Sequence, residues 1–106
     1  MRPAAGNLLE ALPEKTAGEV FEVLSEAPGY RIERITSFGA SSPEGFYYEQ
    51  DFDEWVAVLK GCAELEIDGR KTALGPGDWV MIPKGVRHRV EKTEDETVWL
   101  AFNAGR

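Results

Sequence analysis

Residues 62–74 read CAELEIDGRKTAL, and no other stretch constrains the fold as tightly. Ala63, Leu65 and Ile67 alternate with Glu64, Glu66 and Asp68. Successive side chains of a β-strand point to opposite faces, so this run makes one apolar and one charged face. Asp68-Gly69 closes it, a pair suited to the tight two-residue turn of an antiparallel hairpin. KTAL, 71–74, returns as the partner strand. A helix through the same residues would scatter the apolar groups instead of collecting them on one stripe.

The pattern repeats from residue 19 onward. EVFEVLSE, 19–26, and YRIERITSF, 30–38, flank Ala27-Pro28-Gly29 and read as a hairpin. GASSPEG, 39–45, is a loop, FYYEQ, 46–50, a strand, and DFDE, 51–54, an interruption. WVAVLKG, 55–61, is an apolar strand ending at Gly61. WVMIP, 79–83, RHRVEK, 87–92, and TVWLAFN, 97–103, are further strands, with GPGD, KGV and TEDE as turns or loops between them. About eight or nine short strands at this spacing predict an all-β antiparallel sandwich or barrel.

With 106 residues, 42% of them hydrophobic, the chain has room for one domain and one core. Residues 19–106 are the expected barrel. Residues 1–18, with Pro3, Gly6, Pro13 and Gly18, read as an N-terminal arm. A short helical turn is expected at Leu8 to Leu12, whose leucines would dock the arm on the domain or on a partner subunit. The net charge of −7, from 19 acidic and 12 basic residues, argues against nucleic acid and anionic membranes as partners. Residues 1–12 lack the apolar region of a signal peptide, and no run is long enough to span a bilayer, so a cytoplasmic location is expected. Cys62 is the one cysteine, which excludes an intrachain disulfide. It is expected to be buried and inert, because no second histidine is present to activate it.

The candidate chemistry centres on GDWVMIPKGVRHRV, 77–90, which carries the one histidine, His88. Tyr48 and Gln50 are two apart and share a strand face. Glu54 follows the DFD interruption, which would turn the chain and bring its carboxylate back inward. With His88 from a neighbouring strand, these polar groups would meet at the end of an apolar cavity, the usual form of a small-molecule site.

These residues resemble the cupin superfamily. Its second motif is Gly, five residues, Pro, one residue, Gly, two residues, His, and Gly77, Pro83, Gly85 and His88 fall on every position. Its first motif is His, one residue, His, three residues, Glu or His, six residues, Gly. Glu54 and Gly61 match it, whereas Tyr48 and Gln50 replace the two histidines, and Ser41 and Ser42 stand where an opening glycine is expected. The resemblance covers roughly residues 40–102 and is narrowest to small bacterial single-domain cupins of unassigned activity. It implies a double-stranded β-helix, a jelly-roll barrel, with the site inside where the motifs face each other.

The ligand set implied by the resemblance is Gln50, Glu54 and His88, with Tyr48 as a fourth candidate. It would hold a divalent metal ion: zinc, nickel, manganese or iron. A redox-competent facial triad needs two histidines and a carboxylate, which one subunit of this chain does not supply, so dioxygenase chemistry is disfavoured. Glu54 is the candidate catalytic residue, as ligand or as general base in isomerase, hydrolase or lyase chemistry on a small polar metabolite. No organic cofactor is implied, and whether the chain is an enzyme stays open. The alternative is a metal-free domain that binds or senses a small molecule without catalysis. In a third reading, the jelly roll is a scaffold whose pocket is filled by side chains. His88 bonded to Glu54 as a structural pair fits either. Arg87 and Arg89 flank His88 and turn to the opposite face, where they would pair with surface acids. Trp55, Trp79 and Trp99 belong to the core or to a subunit interface. The outer faces of WVAVLKG and TVWLAFN are apolar enough to predict a homodimer, formed by sheet packing or by exchange of the arm.

Overall fold

A computed structural model describes residues 4–105. Eight strands follow one another: β1 (Gly18–Ala27), β2 (Tyr30–Phe38), β3 (Asp53–Lys60), β4 (Ala63–Ile67), β5 (Arg70–Leu74), β6 (Trp79–Ile82), β7 (His88–Thr93) and β8 (Asp95–Ala104). They form a five-stranded sheet in the order β1-β2-β8-β3-β6 and a three-stranded sheet in the order β5-β4-β7. Every pairing between them is antiparallel. This is the all-β antiparallel architecture that the alternation and turn spacing predict, and the jelly roll that the cupin resemblance implies. Among the described residues no helix is long and apolar enough to cross a membrane.

The core follows from strand periodicity. Val56 and Val58 of β3, Ala63 and Leu65 of β4, Ile82 of β6 and Trp99 of β8 point between the sheets and are buried. The Asp68-Gly69 turn forms as expected, with φ of 49° and 80°, both in the left-handed region such a hairpin requires. Gly61 has a φ of 83°, and a Cβ there would lie 2.6 Å from the Glu96 carbonyl oxygen and 2.7 Å from Thr97 Oγ1. Only glycine lets β3 turn so tightly against β8.

Four expectations need correction. FYYEQ is not a strand: residues 46–50 make one isolated bridge, Tyr48 with His88. The chain bends at Asp51 and Phe52, and the pairing stops before a ladder can grow. TEDE is not a loop, because β7 runs to Thr93 and β8 begins at Asp95. The buried Thr97 hydroxyl donates to the carbonyls of Glu94 (2.8 Å) and Cys62 (3.1 Å) and fastens this corner. Leu8 to Leu12 form a turn and no helix: Glu10 N–H donates to the Asn7 carbonyl (3.2 Å), and Ala11, at a φ of 51°, leaves the helical region before a second turn can add. Cys62 is exposed, not buried, because Ala63 takes the inward position of the alternation. Its thiol pKa is raised by desolvation and by the neighbouring Glu94 carboxylate, which disfavours the thiolate.

Arg34 decides how the arm sits. Its buried guanidinium donates to the carbonyls of Leu8 (3.2 Å), Glu10 (2.8 Å) and Ala11 (3.1 Å) and pairs with Glu22. The arm is therefore held by its backbone, while Leu9 remains 47% exposed.

Candidate functional site

A cavity of about 120 Å³ opens between the two sheets. All four residues singled out from the sequence line it: Tyr48, Gln50, Glu54 and His88. Two backbone devices bring them together. Residues 46–50 lie along the start of β7, with Tyr48 N–H donating to the His88 carbonyl (2.7 Å) and His88 N–H to the Tyr48 carbonyl (3.1 Å). The Pro83-Lys84-Gly85 turn is clamped by Gly85 N–H donating to the Gln50 carbonyl (2.7 Å) and Lys84 N–H to Asp53 Oδ1 (2.8 Å). Glu54 stands opposite the buried Ile82 in register, so its carboxylate faces inward as the DFD turn implied.

His88 is 5% exposed. Its Nδ1 lies 3.0 Å from the Val86 carbonyl oxygen. A carbonyl only accepts, so Nδ1 carries the proton and the neutral ring presents its lone pair at Nε2. Burial lowers the His88 pKa, only partly opposed by the bond to Val86. Nε2 is 3.9 Å from Glu54 Oε1, too far for a direct hydrogen bond and near enough for one atom to bridge. Gln50 Oε1 is buried with no hydrogen-bond partner. An unpartnered buried oxygen is costly, and Gln50 carries it on a residue that lines the cavity.

Tyr48 stacks on His88, with centroids 5.3 Å apart and planes 22° off parallel, and Phe46 packs edge-on against Tyr48. Its phenol pKa is raised by burial, then by the Glu19 and Glu54 carboxylates. Tyr48 therefore keeps its proton and meets the cavity as a hydroxyl.

Glu19, Ser37 and Trp99 escaped the sequence reading. Glu19 of β1 also lines the cavity. Its Oε2 accepts from Ser37 Oγ (2.9 Å), which in turn accepts from the Trp99 indole N–H (3.1 Å). The available signal was the alternation of EVFEV, which puts Glu19 and Phe21 on one face. Arg87 and Arg89 turn outward as expected. Arg87 pairs with Glu49 and lies over the Tyr47 ring, and Arg89 pairs with Glu91 and donates to the carbonyls of Ser42 and Pro43. Trp99 is core at 3% exposure, whereas Trp55 and Trp79 stack on each other on the outer face of β3 and β6. Among the described residues, no three of His, Cys, Asp and Glu cluster as a metal site, so a cation here also needs the Gln50 amide oxygen.

An inward-facing polar constellation of this kind, carried on a two-sheet jelly roll, defines a barrel protein with an internal cavity. The chain belongs to the cupin family, whose domain model matches residues 39–102. A solved protein from Ralstonia eutropha JMP134, provisionally named a mannose-6-phosphate isomerase, is 42% identical and superposes with a TM-score of 0.93 over 98% of this chain and 100% of that one. An uncharacterised protein of Aquifex aeolicus (strain VF5) is 36% identical over 98 residues, covering 89% of this chain and 78% of its own. A cupin superfamily protein from Desulfitobacterium hafniense DCB-2 shares the fold at 19% identity, with a TM-score of 0.80 over 100% of this chain and 95% of that one.

Proposed function

We propose that the barrel binds a small polar metabolite beside a divalent cation held by Gln50, Glu54 and His88. The observation that carries this reading is the buried, unpartnered Oε1 of Gln50, a residue that lines the same cavity as His88 with its Nε2 lone pair. One imidazole nitrogen, one carboxylate and one amide oxygen suit a borderline ion such as zinc or nickel, and manganese or iron less well. Bound there, such an ion would polarise a ligand oxygen as a Lewis acid. Tyr48, kept protonated, donates a hydrogen bond to the ligand instead of serving as a fourth metal ligand. Glu54 holds the cation or takes a proton from the ligand, and one carboxylate does not readily do both. The chemistry that suits this set is non-redox: isomerisation, hydrolysis or elimination.

The test is metal analysis of protein purified without chelator or affinity metal, beside His88→Ala. Near-stoichiometric metal that disappears in the variant is expected. No metal in either sample and no binding on titration with Zn²⁺ or Ni²⁺ would overturn the metal reading and leave a metal-free binding domain.

The protein also acts as a homodimer in this proposal. Trp79, Met81 and Phe102 are 59%, 50% and 37% exposed on the outer face of the larger sheet, beside Trp55. A contiguous apolar surface of this kind suits burial against a second sheet.

A further inference from the structure

Glu19 gives the cavity a carboxyl group that the expected site did not include. Glu19 and Glu54 put two carboxyl groups on the cavity lining. Among the described residues no Lys or Arg lines the cavity. Arg87 and Arg89 are committed to the outer surface, and Arg34 to the arm. Without a cation, the lining therefore offers a phosphate or carboxylate no ammonium or guanidinium partner.

Size and wall chemistry narrow the ligand further. The cavity is small, about 120 Å³, and open on one side, so it seats a compact group and lets a larger one project from its mouth. Ile35, Val56, Leu65, Val90 and Trp99 supply apolar lining, while Glu19, Gln50 and Glu54 supply acceptors. Glu19 is not loosely placed, because the Trp99–Ser37 hydrogen-bond chain orients its carboxylate.

We propose that Glu19 is a specificity-determining carboxylate, and that the barrel accepts a small uncharged or cationic molecule with an apolar body and a hydroxyl or amino donor, while rejecting phosphorylated and carboxylate ligands. This rests on the reading of the barrel as a ligand site. It separates the chain from the sugar phosphate named for its Ralstonia relative, which is dianionic.

Three probes of nearly equal size test it: benzyl alcohol, benzylamine and benzoate. Trp99 is the reporter, in a Trp55→Phe, Trp79→Phe background that removes the two outer indoles. Benzyl alcohol and benzylamine are expected to change Trp99 emission saturably, with benzoate at least about tenfold weaker because like charges oppose its entry. Glu19→Gln, which still accepts from Ser37, is expected to narrow that gap by about tenfold. Ser37→Ala keeps the charge and frees its orientation, so it weakens benzyl alcohol and preserves the rejection of benzoate. Equal binding of benzoate and benzyl alcohol, or a ratio that Glu19→Gln leaves unchanged, would overturn the proposal. Zn²⁺ run on the same reporter separates the failures. If Zn²⁺ binds and none of the probes does, the specificity reading falls and the barrel site stands. If nothing binds, both fall.

Discussion

His88 is the one histidine of the chain, which makes its protonation readable in whole-protein stability. Its pKa is lowered by burial, so the unfolded chain takes up this proton more readily than the folded one. Below the unfolded value of about 6.5, the unfolded state holds more protons and folding stability falls as pH falls. The loss continues until the folded His88 also titrates. The slope for one proton is at most ~1.4 kcal/mol per pH unit. Lowering the pH from 6.5 to 5.5 therefore costs at most about 1 kcal/mol, since the unfolded imidazole is only half protonated at 6.5, a fall of roughly 4–8 °C in Tm for a domain of this size. The assay is urea unfolding of the metal-free protein at half-unit steps between pH 7.5 and 5, in parallel with His88→Gln. The difference between the two proteins isolates His88, because every other titrating group is shared. Stability that tracks the variant step for step across that window would refute a buried neutral imidazole with Nδ1 committed to Val86. It would also remove the lone pair on which the proposed cation site depends.

Three further outcomes follow from the packing. Arg34→Met removes donors to three arm carbonyls; a loss of roughly 2–4 kcal/mol is expected, with faster proteolysis of residues 8–11. A variant as stable as the parent, with an equally protected arm, would show that the leucines hold the arm after all. Gly61→Ala places a methyl against the Glu96 carbonyl at a φ of 83° and is expected to lower stability by about 1–3 kcal/mol in chemical unfolding. Met81→Lys puts a charge in the apolar face of β6, and light scattering is expected to show dimer giving way to monomer. A parent protein already monomeric at high concentration would remove that interface.

Much of the barrel was legible because its cause is local. CAELEID alternates, Asp68-Gly69 turns, and Pro83-Lys84-Gly85 stops β6 before His88. These choices hold whatever surrounds them, since side-chain direction in a strand and the φ of a tight turn are set within a few residues. The convergence of Tyr48, Gln50, Glu54 and His88 was legible through the motif spacing of the cupin resemblance, although Tyr48 and Gln50 lie outside any strand and reach the cavity without strand parity. The limit was reached wherever the deciding partner lies far along the chain. FYYEQ has strand composition, yet only Tyr48 finds a bridge, because the bend at Asp51 ends the register with β7. Cys62 looked like a core residue until Ala63 took the inward place.

Arg34 reads as one more strand charge in YRIERITSF, and nothing near it signals that it gathers three carbonyls from 23 to 26 residues away. Glu19 has a surface residue's composition and a cavity residue's position, because β1 pairs with β2 and brings it beside Ser37, while Trp99 arrives from the other end of the chain. The sequence by itself determined the strands, the turns and the spacing of the motif residues. Which charge stands in the cavity, which lone pair His88 turns inward and which oxygen of Gln50 is left unpartnered were decided by tertiary structure. Burial and electrostatics depend on what the closed barrel packs against each group, and periodicity along one strand carries no record of that.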